Sequence, residues 1–246
     1  MFDILSETDL TALILTFKLA AITTVLLLII CVPLAWWLSR MKHPVRVLLE
    51  AFLALPLVLP PTVLGFYLLI FFAPDSFLGK LWESLFSVQL AFSFEALVIG
   101  SMIYSLPFVV QPLQQAFSKI PMNLLEVYSS MGLSLKQRIS YLILPLTKSS
   151  LVAAMSLGFA HTIGEFGVVL MIGGNIPGET QVISLALYDH VESLNYAQAH
   201  AVSGMLILLS MIILILTYAK IGSPLSMGHY KPENVSRQSG GEANNS

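Results

Sequence analysis

The chain has 246 residues, 56% of them hydrophobic and only 11% charged, with a formal net charge of −2 and a mean hydropathy of +0.82. An ordinary water-soluble domain is about 25% charged, so a 27.0 kDa globule of this composition has too little polar surface to face water, which excludes a soluble enzyme and a disordered chain. The charge leaves no basic footprint for nucleic acid, and the single cysteine, Cys31, excludes an internal disulfide or a cysteine-based zinc site.

Only helices and closed barrels satisfy their own backbone in hydrocarbon. The apolar runs here are long and unbroken rather than alternating, which predicts an all-α membrane protein with about five transmembrane helices. Residues 1–10 are acidic (Asp3, Glu7, Asp9) and lack the positive region of a secretory signal. They are expected outside the cytoplasm, ahead of a membrane domain over 11–222. Its spans are expected at about 11–39, 48–73, 95–118, 147–172 and 197–220. Trp36 and Trp37 at the end of span one, and Trp82 in the next loop, sit where interfacial anchors do. In span two, Pro56, Pro60 and Pro61 remove backbone donors and obstruct the helix. A bend at a pathway and a simple proline kink both fit.

Span four carries Ala154, Gly158, Gly164 and Gly167, small residues that allow another helix close approach; dimer contact and pathway lining both remain open. It also carries Glu165, an acid deep in an apolar run, with His161 four residues earlier on the same helical face. A local packing pair and a gating or proton-carrying pair are the two readings. Direct grip on an anion by Glu165 is disfavoured, because like charges repel more strongly when buried. Farther on, Gln181–Val191 is amphipathic, with Ile183, Leu187 and Val191 on one face, and is expected along the outer surface. The tail, 223–246, is polar and rich in Gly, Ser and Asn, and is expected to be a disordered cytoplasmic end.

Loop charge sets the orientation. Arg40, Lys42, Arg46, Lys119, Lys136, Arg138, Lys148, Lys220, Lys231 and Arg237 fall on one side, Lys80 alone on the other, and Lys18 inside span one. Positive loops stay in the cytoplasm, which predicts the N-terminus outside and the C-terminus inside.

The cytoplasmic loop 119–146 is the most patterned. Pro121 suits a first helical turn, and Leu124, Leu125, Tyr128 and Met131 recur at helical spacing. Gly132 suits a left-handed stop. Ser134 and Gln137 have capping-box spacing for a second helix, and Pro145 marks the start of span four. By pattern alone this hairpin either lies on lipid headgroups or docks a cytoplasmic partner.

The residues themselves carry a resemblance. Glu126-Val127-Tyr128, three residues, Gly132, nine residues and Leu142-Ile143-Leu144-Pro145 resemble the cytoplasmic EAA signature of ABC-importer permeases. Val127 and Tyr128 replace its two alanines, and Leu142 its isoleucine. Leu55-Pro56-Leu57-Val58-Leu59-Pro60-Pro61-Thr62-Val63-Leu64-Gly65 resembles the second-span motif of molybdate permeases. Ile163-Gly164-Glu165-Phe166-Gly167 and Asn175-Ile176-Pro177-Gly178-Glu179-Thr180 are similar to that family's fourth span and outer loop. Related sulfate permeases more often have Gly-Glu-Tyr-Gly and lack the Pro-Gly-Glu-Thr loop. The likeness runs from about Leu10 to Ala219.

The resemblance implies an ABC-importer permease fold with a cytoplasmic coupling-helix hairpin, and a prokaryotic inner-membrane subunit that carries molybdate, with tungstate the second candidate, inward. It implies ATPase docking by Glu126, Gly132, Ser134, Leu144 and Pro145. It places the pathway or gate at Pro60, Pro61, Thr62, Gly164, Glu165 and Gly167, with an outer loop of Asn175, Pro177, Gly178, Glu179 and Thr180. The implied partners are a second copy of this chain, two ATP-binding-cassette subunits that hold ATP and Mg, and an extracytoplasmic oxyanion-binding protein. Sulfate or thiosulfate is the alternative substrate.

From the residues alone, no Walker loop, His-Glu-x-x-His or Gly-x-Ser-x-Gly is present, so catalysis, a metal site and a cofactor in this chain are not expected. Beyond Lys18 the spans hold no Lys or Arg except Lys148 and Lys220 at their cytoplasmic ends. A route of hydroxyls and backbone N–H groups replaces water without trapping a dianion, leaving high affinity to a separate receptor. The alternative from another class is a proton-coupled carrier using His161 and Glu165; the absence of a visible internal repeat speaks against it.

Overall fold

The computed structural model describes residues 6–221; the expected disordered tail at 223–246 and Asp3 lie outside the described residues. Among the described residues the chain is all helix and loop: α1 (Glu7–Arg40), α2 (Val45–Val58), α3 (Pro61–Phe72), α4 (Phe77–Phe86), α5 (Phe94–Ser118), α6 (Met122–Ser130), α7 (Leu135–Arg138), α8 (Leu144–Ile163), α9 (Gly167–Gly173), α10 (Ile183–Glu192) and α11 (Tyr196–Ile221). Among the described residues four helices are long and apolar enough to cross a membrane, one of them α7 and α8 joined end to end, and the bent pair α2–α3 makes a fifth candidate.

The centre of the bundle is α1 against α5. Ser6 caps α1 reciprocally with Asp9: Asp9 N–H donates to Ser6 Oγ at 3.1 Å and Ser6 N–H to Asp9 Oδ2 at 3.0 Å. Leu19, Thr23, Leu27, Cys31 and Ala35 form a buried stripe four residues apart along α1. Leu97, Ser101, Ser105, Val109, Leu113 and Phe117 do the same on α5. Stripes at that spacing are the ridges by which helices interlock. In lipid there is no hydrophobic drive between helices, so close packing must hold them. Gly158 of α8 supplies it, since a Cβ there would lie 2.6 Å from Val109 Cγ2. Outward, α11 leaves Ile207, Leu208, Met211, Ile212, Ile215 and Leu216 exposed, the inverse of a water-soluble surface.

Two spans are broken. Between α2 and α3 the axis turns by 108°. A proline disfavours α geometry in the residue before it, and Leu59 and Pro60 each precede one. Both are extended, with ψ 137 and 134. Pro61 then opens α3, where its missing N–H is harmless. Span four, expected as one helix over 147–172, is also interrupted. α8 ends at Ile163, Phe166 takes φ −130 and ψ −66, and α9 starts at Gly167. Low-propensity glycines on both sides of Glu165 permit the break.

Other expectations change. Pro145 does not begin a separate helix: α7 runs through a π-helical turn, Ile139–Ile143, directly into α8. A proline cannot bond to the carbonyl four residues back and clashes with it; the wider turn just before Pro145 accommodates this. The loop after span two contains α4, capped by Ser76, whose Oγ accepts from Gly79 N–H at 2.8 Å. On α10 the buried residues are Ile183, Leu185 and Ala186, while Val191 is exposed rather than sharing their face. Trp37 is exposed, but Trp36 packs inward, edge-on to Phe117 at 5.4 Å.

Candidate functional site

The two breaks meet. α3 packs on α9, and glycines make the approach reciprocal. A Cβ on Gly167 would lie 2.8 Å from Pro61 Cβ, and one on Gly65 would lie 2.7 Å from Met171 Cβ. The span-two and span-four motifs, far apart in sequence, thus form one junction of Pro60, Pro61, Thr62, Gly164, Glu165 and Gly167. Pro60, Thr62 and Gly164 are exposed, whereas Glu165 and Gly167 are buried. The N-terminal turn of α3 opens here, bringing its positive dipole end to the break. Beneath it Glu165 is 3% exposed; neither carboxyl oxygen forms a hydrogen bond among the described residues, and Ser101, the buried polar side chain facing it, has its Oγ likewise unpaired. Glu165 is held by its backbone instead, its carbonyl accepting from Ser184 Oγ at 2.6 Å.

His161 does not pair with Glu165. The same-face argument requires an unbroken helix, and α8 ends between the two. His161 Nδ1 shares a hydrogen bond with Ser105 Oγ at 2.8 Å, and its ring stacks on Phe108 with centroids 3.9 Å apart. Thr162 completes the tie between α5 and α8, its Oγ 3.2 Å from Ser105 Oγ. The proton-carrying pair of the secondary-carrier reading is therefore not assembled.

The hairpin is a second surface. Gly132 takes φ +74, the left-handed stop. Ser134 and Gln137 close a capping box: Ser134 N–H donates to Gln137 Oε1 at 2.9 Å and Gln137 N–H to Ser134 Oγ at 3.4 Å. Within α6 the inward side is Leu125 and Tyr128, both half-buried; Leu124 and Met131 are exposed, contrary to a single apolar face. Glu126, Val127, Met131, Gly132 and Ser134 are exposed together. Leu144 is exposed at the start of α8, and Leu142 in the preceding π-turn faces inward. The root of the hairpin is fixed by Arg40, whose guanidinium donates to the carbonyls of Phe117 at 3.1 Å and Ile120 at 3.2 Å and lies over Trp36. A cation on the last carbonyls of α5 is favourably placed.

The outer loop divides in two. Thr180 is buried: its Oγ donates to Gly173 O at 2.6 Å and accepts from Ile176 N–H at 3.0 Å. Asn175, at φ 55, donates from Nδ2 to both oxygens of Asp189, each at 2.9 Å. Pro177, Gly178 and Glu179 protrude from this frame. Sequence reasoning missed Asp189, and also Asp9, whose Oδ1 is 2.8 Å from His190 Nε2, joining α1 to α10. It missed a third group, in which Glu50 Oε1 accepts from Arg46 Nε at 2.6 Å and from Gln114 Nε2, bridging α2 and α5. The Arg46–Glu50 spacing of four was a readable signal; Gln114, 64 residues away, was not.

Comparison with known proteins bears on the family and the fold. Residues 31–221 match the family model described as binding-protein-dependent transport system inner membrane component. The chain is 49% identical over 215 residues to the molybdenum transport system permease protein ModB of Azotobacter vinelandii, covering 87% of this chain and 95% of that one. It is 30% identical over 181 residues to the sulfate transport system permease protein CysT of Escherichia coli, covering 74% and 65%. Its fold is similar to that in the crystal structure of a bacterial ABC transporter involved in alginate import. There the TM-score is 0.72 at 16% identity, covering 88% of this chain and 80% of that one.

Proposed function

The chain belongs to the family of binding-protein-dependent transport system inner membrane components, and from that premise we propose that it is the channel-forming subunit of an ATP-binding-cassette importer carrying molybdate into the cytoplasm. It is a multi-pass inner-membrane protein. The observation that carries the substrate is the extended likeness to the Azotobacter molybdenum permease, with the sulfate permease the more distant relative. In this reading two copies pair, each docks one ATP-binding-cassette subunit, and an extracytoplasmic oxyanion-binding protein delivers the ion. ATP and Mg belong to the docked subunits, and this chain performs no catalysis. The hairpin end faces the cytoplasm, because Arg40, Lys42, Arg46, Lys119, Lys136, Arg138 and Lys148 gather there.

The mechanism follows from continuity. The docking surface is Glu126, Gly132 and Ser134 with Leu144 and Pro145 at the base, and the helix behind it runs without a break from Leu135 to Ile163. Movement of a docked ATPase is transmitted along that helix to Gly164–Glu165, where the chain turns into α9 against Pro61 and Thr62. Two packed broken spans form an element with alternative arrangements, suited to opening and closing a pathway. The ion passes Thr62 and the N–H groups that begin α3, which replace lost water without a cation to trap it. Asn175, Pro177, Gly178, Glu179 and Thr180 hold and present the surface that meets the receptor.

Reconstitution with the cognate ATPase and binding protein tests the reading. Uptake of radiolabelled molybdate into proteoliposomes is expected to require ATP hydrolysis and to persist when a proton ionophore collapses the gradient. Glu126→Arg and Gly132→Pro are expected to leave the chain in the membrane while removing the ATPase from the purified complex. Normal ATPase co-purification with both variants would overturn the docking assignment, and uptake driven by the gradient alone would overturn the importer itself.

A further inference from the structure

We propose that the groove between α2 and α5 at the hairpin end of the bundle is an anion-binding vestibule. In it Arg46 and Lys119 receive a hydrated tetrahedral oxyanion as the ion leaves the membrane. The identity and direction of the ion rest on the importer reading; the binding does not.

The groove has a volume of about 750 Å3; its polar side is Arg46, Gln111, Gln114, Gln115, Ser118 and Lys119 with Glu50 in the wall, and Val47, Ala51, Leu53, Ala54 and Val110 make an apolar side. Gln111, Gln115 and Ser118 are spaced four and three residues apart, so they lie on one face of α5. A line of amides turned toward lipid would be costly, and here it borders the groove beside Arg46 and Lys119. Topology signals need only charge, not geometry, yet Arg46 is held in place. Its Nε donates to Glu50 Oε1 at 2.6 Å, and the same oxygen accepts from Gln114. That contact occupies one nitrogen of the guanidinium. The two terminal amino groups have no protein partner among the described residues, nor does the Lys119 ammonium.

Charge and space define the ligand. Two cations and one carboxylate leave the groove net positive, and the open guanidinium edge is a fork suited to paired oxyanion oxygens. At about 30 Å3 for each water, the groove has room for an ion with much of its hydration shell. Such an ion binds weakly and leaves quickly, as an exit site requires. A phospholipid headgroup offers the same tetrahedral oxygens. The amides favour the solute: Gln111 lies eight residues before Lys119, about 12 Å deeper along the helix, below the level at which a headgroup phosphate sits. Glu50 is a positioning residue that presents Arg46 to the ion.

The test uses the full chain with its ATPase subunits in phosphatidylcholine nanodiscs, with the 95Mo NMR line width of dissolved molybdate as readout. Saturable broadening in the millimolar range is expected, competed by sulfate. Arg46→Gln combined with Lys119→Gln should weaken it by about fivefold or more, on the scale of lost charge-assisted hydrogen bonds. Arg46→Lys with Lys119→Arg, which keeps the charge, should retain most of it, and Glu50→Gln should weaken it less than the double loss. Unchanged broadening in the charge-loss variant, at normal ATPase co-purification, would overturn the proposal. So would loss of broadening when phosphatidylglycerol enters the disc and co-purifies with the wild-type chain but not the variant, which would assign the groove to a headgroup. Absence of ATP-driven uptake with broadening intact would overturn the importer reading and support the vestibule as an anion site.

Discussion

Burying a carboxyl group without a hydrogen-bond partner costs about 1–3 kcal/mol, and Glu165 is 3% exposed with both oxygens unpaired among the described residues. The resting fold therefore carries a penalty at the turn between α8 and α9. Replacing an unsatisfied buried polar group with an apolar one of similar shape is neutral to stabilising. Glu165→Leu is accordingly expected to raise the thermal unfolding midpoint in detergent while reducing ATP-driven uptake about tenfold or more, the trade seen where function maintains a strained site. A lower midpoint would mean that Glu165 stabilises the junction. Thr180 is the opposite case, buried and fully used by Gly173 and Ile176. Thr180→Val should cost about 1–3 kcal/mol, read as a lower midpoint, and Thr180→Ser should recover most of it.

The α2–α3 corner is written in two adjacent prolines. Replacing Pro60 and Pro61 together with alanine restores two backbone donors and frees positions 59 and 60 to adopt helical geometry. The 108° angle should open, lengthening the distance between spin labels at positions 48 and 70. An unchanged distance would assign the corner to packing by α9. This break was legible because its cause is local. The Gly164–Phe166 break was not: glycine in a span reads equally as a surface for close packing, and what resolves it is Pro61, 106 residues upstream, occupying the space beside Gly167. The supposed His161–Glu165 pair failed for the same reason, since a four-residue spacing has meaning only while the helix continues. Helix α4 was hidden by charge, with Lys80 and Glu83 suggesting a plain loop although Ser76 carried a capping signal. The hairpin's glycine stop and capping box were legible because they involve neighbours within three residues. Gly132→Ala should strain that stop by about 1 kcal/mol. The chain should still assemble, and ATPase stimulation by the binding protein should weaken; unchanged stimulation would separate hairpin geometry from coupling.

Among the described residues, exposed aliphatic and aromatic side chains cover the flanks, and in the sequence all but two of the cations fall in the loops of one side. That polarity predicts the orientation: fluorescent protein fused after the last residue should fold and emit, and alkaline phosphatase at the same place should stay inactive. Active phosphatase would invert the molecule and every assignment of its two faces. The unbroken stretch Lys136–Ile163 has 28 residues, about 42 Å at the helical rise, and is bounded by the hairpin at one end and the broken-span junction at the other. A rigid rod of that length converts angle into travel: tilting it by about 10° about its hairpin end sweeps its tip through about 7 Å, more than one helical turn. A nucleotide-driven shift too small to remodel the bundle would thus arrive at Glu165 already magnified, and the π-turn near its base is the place where such a lever would lose stroke by flexing.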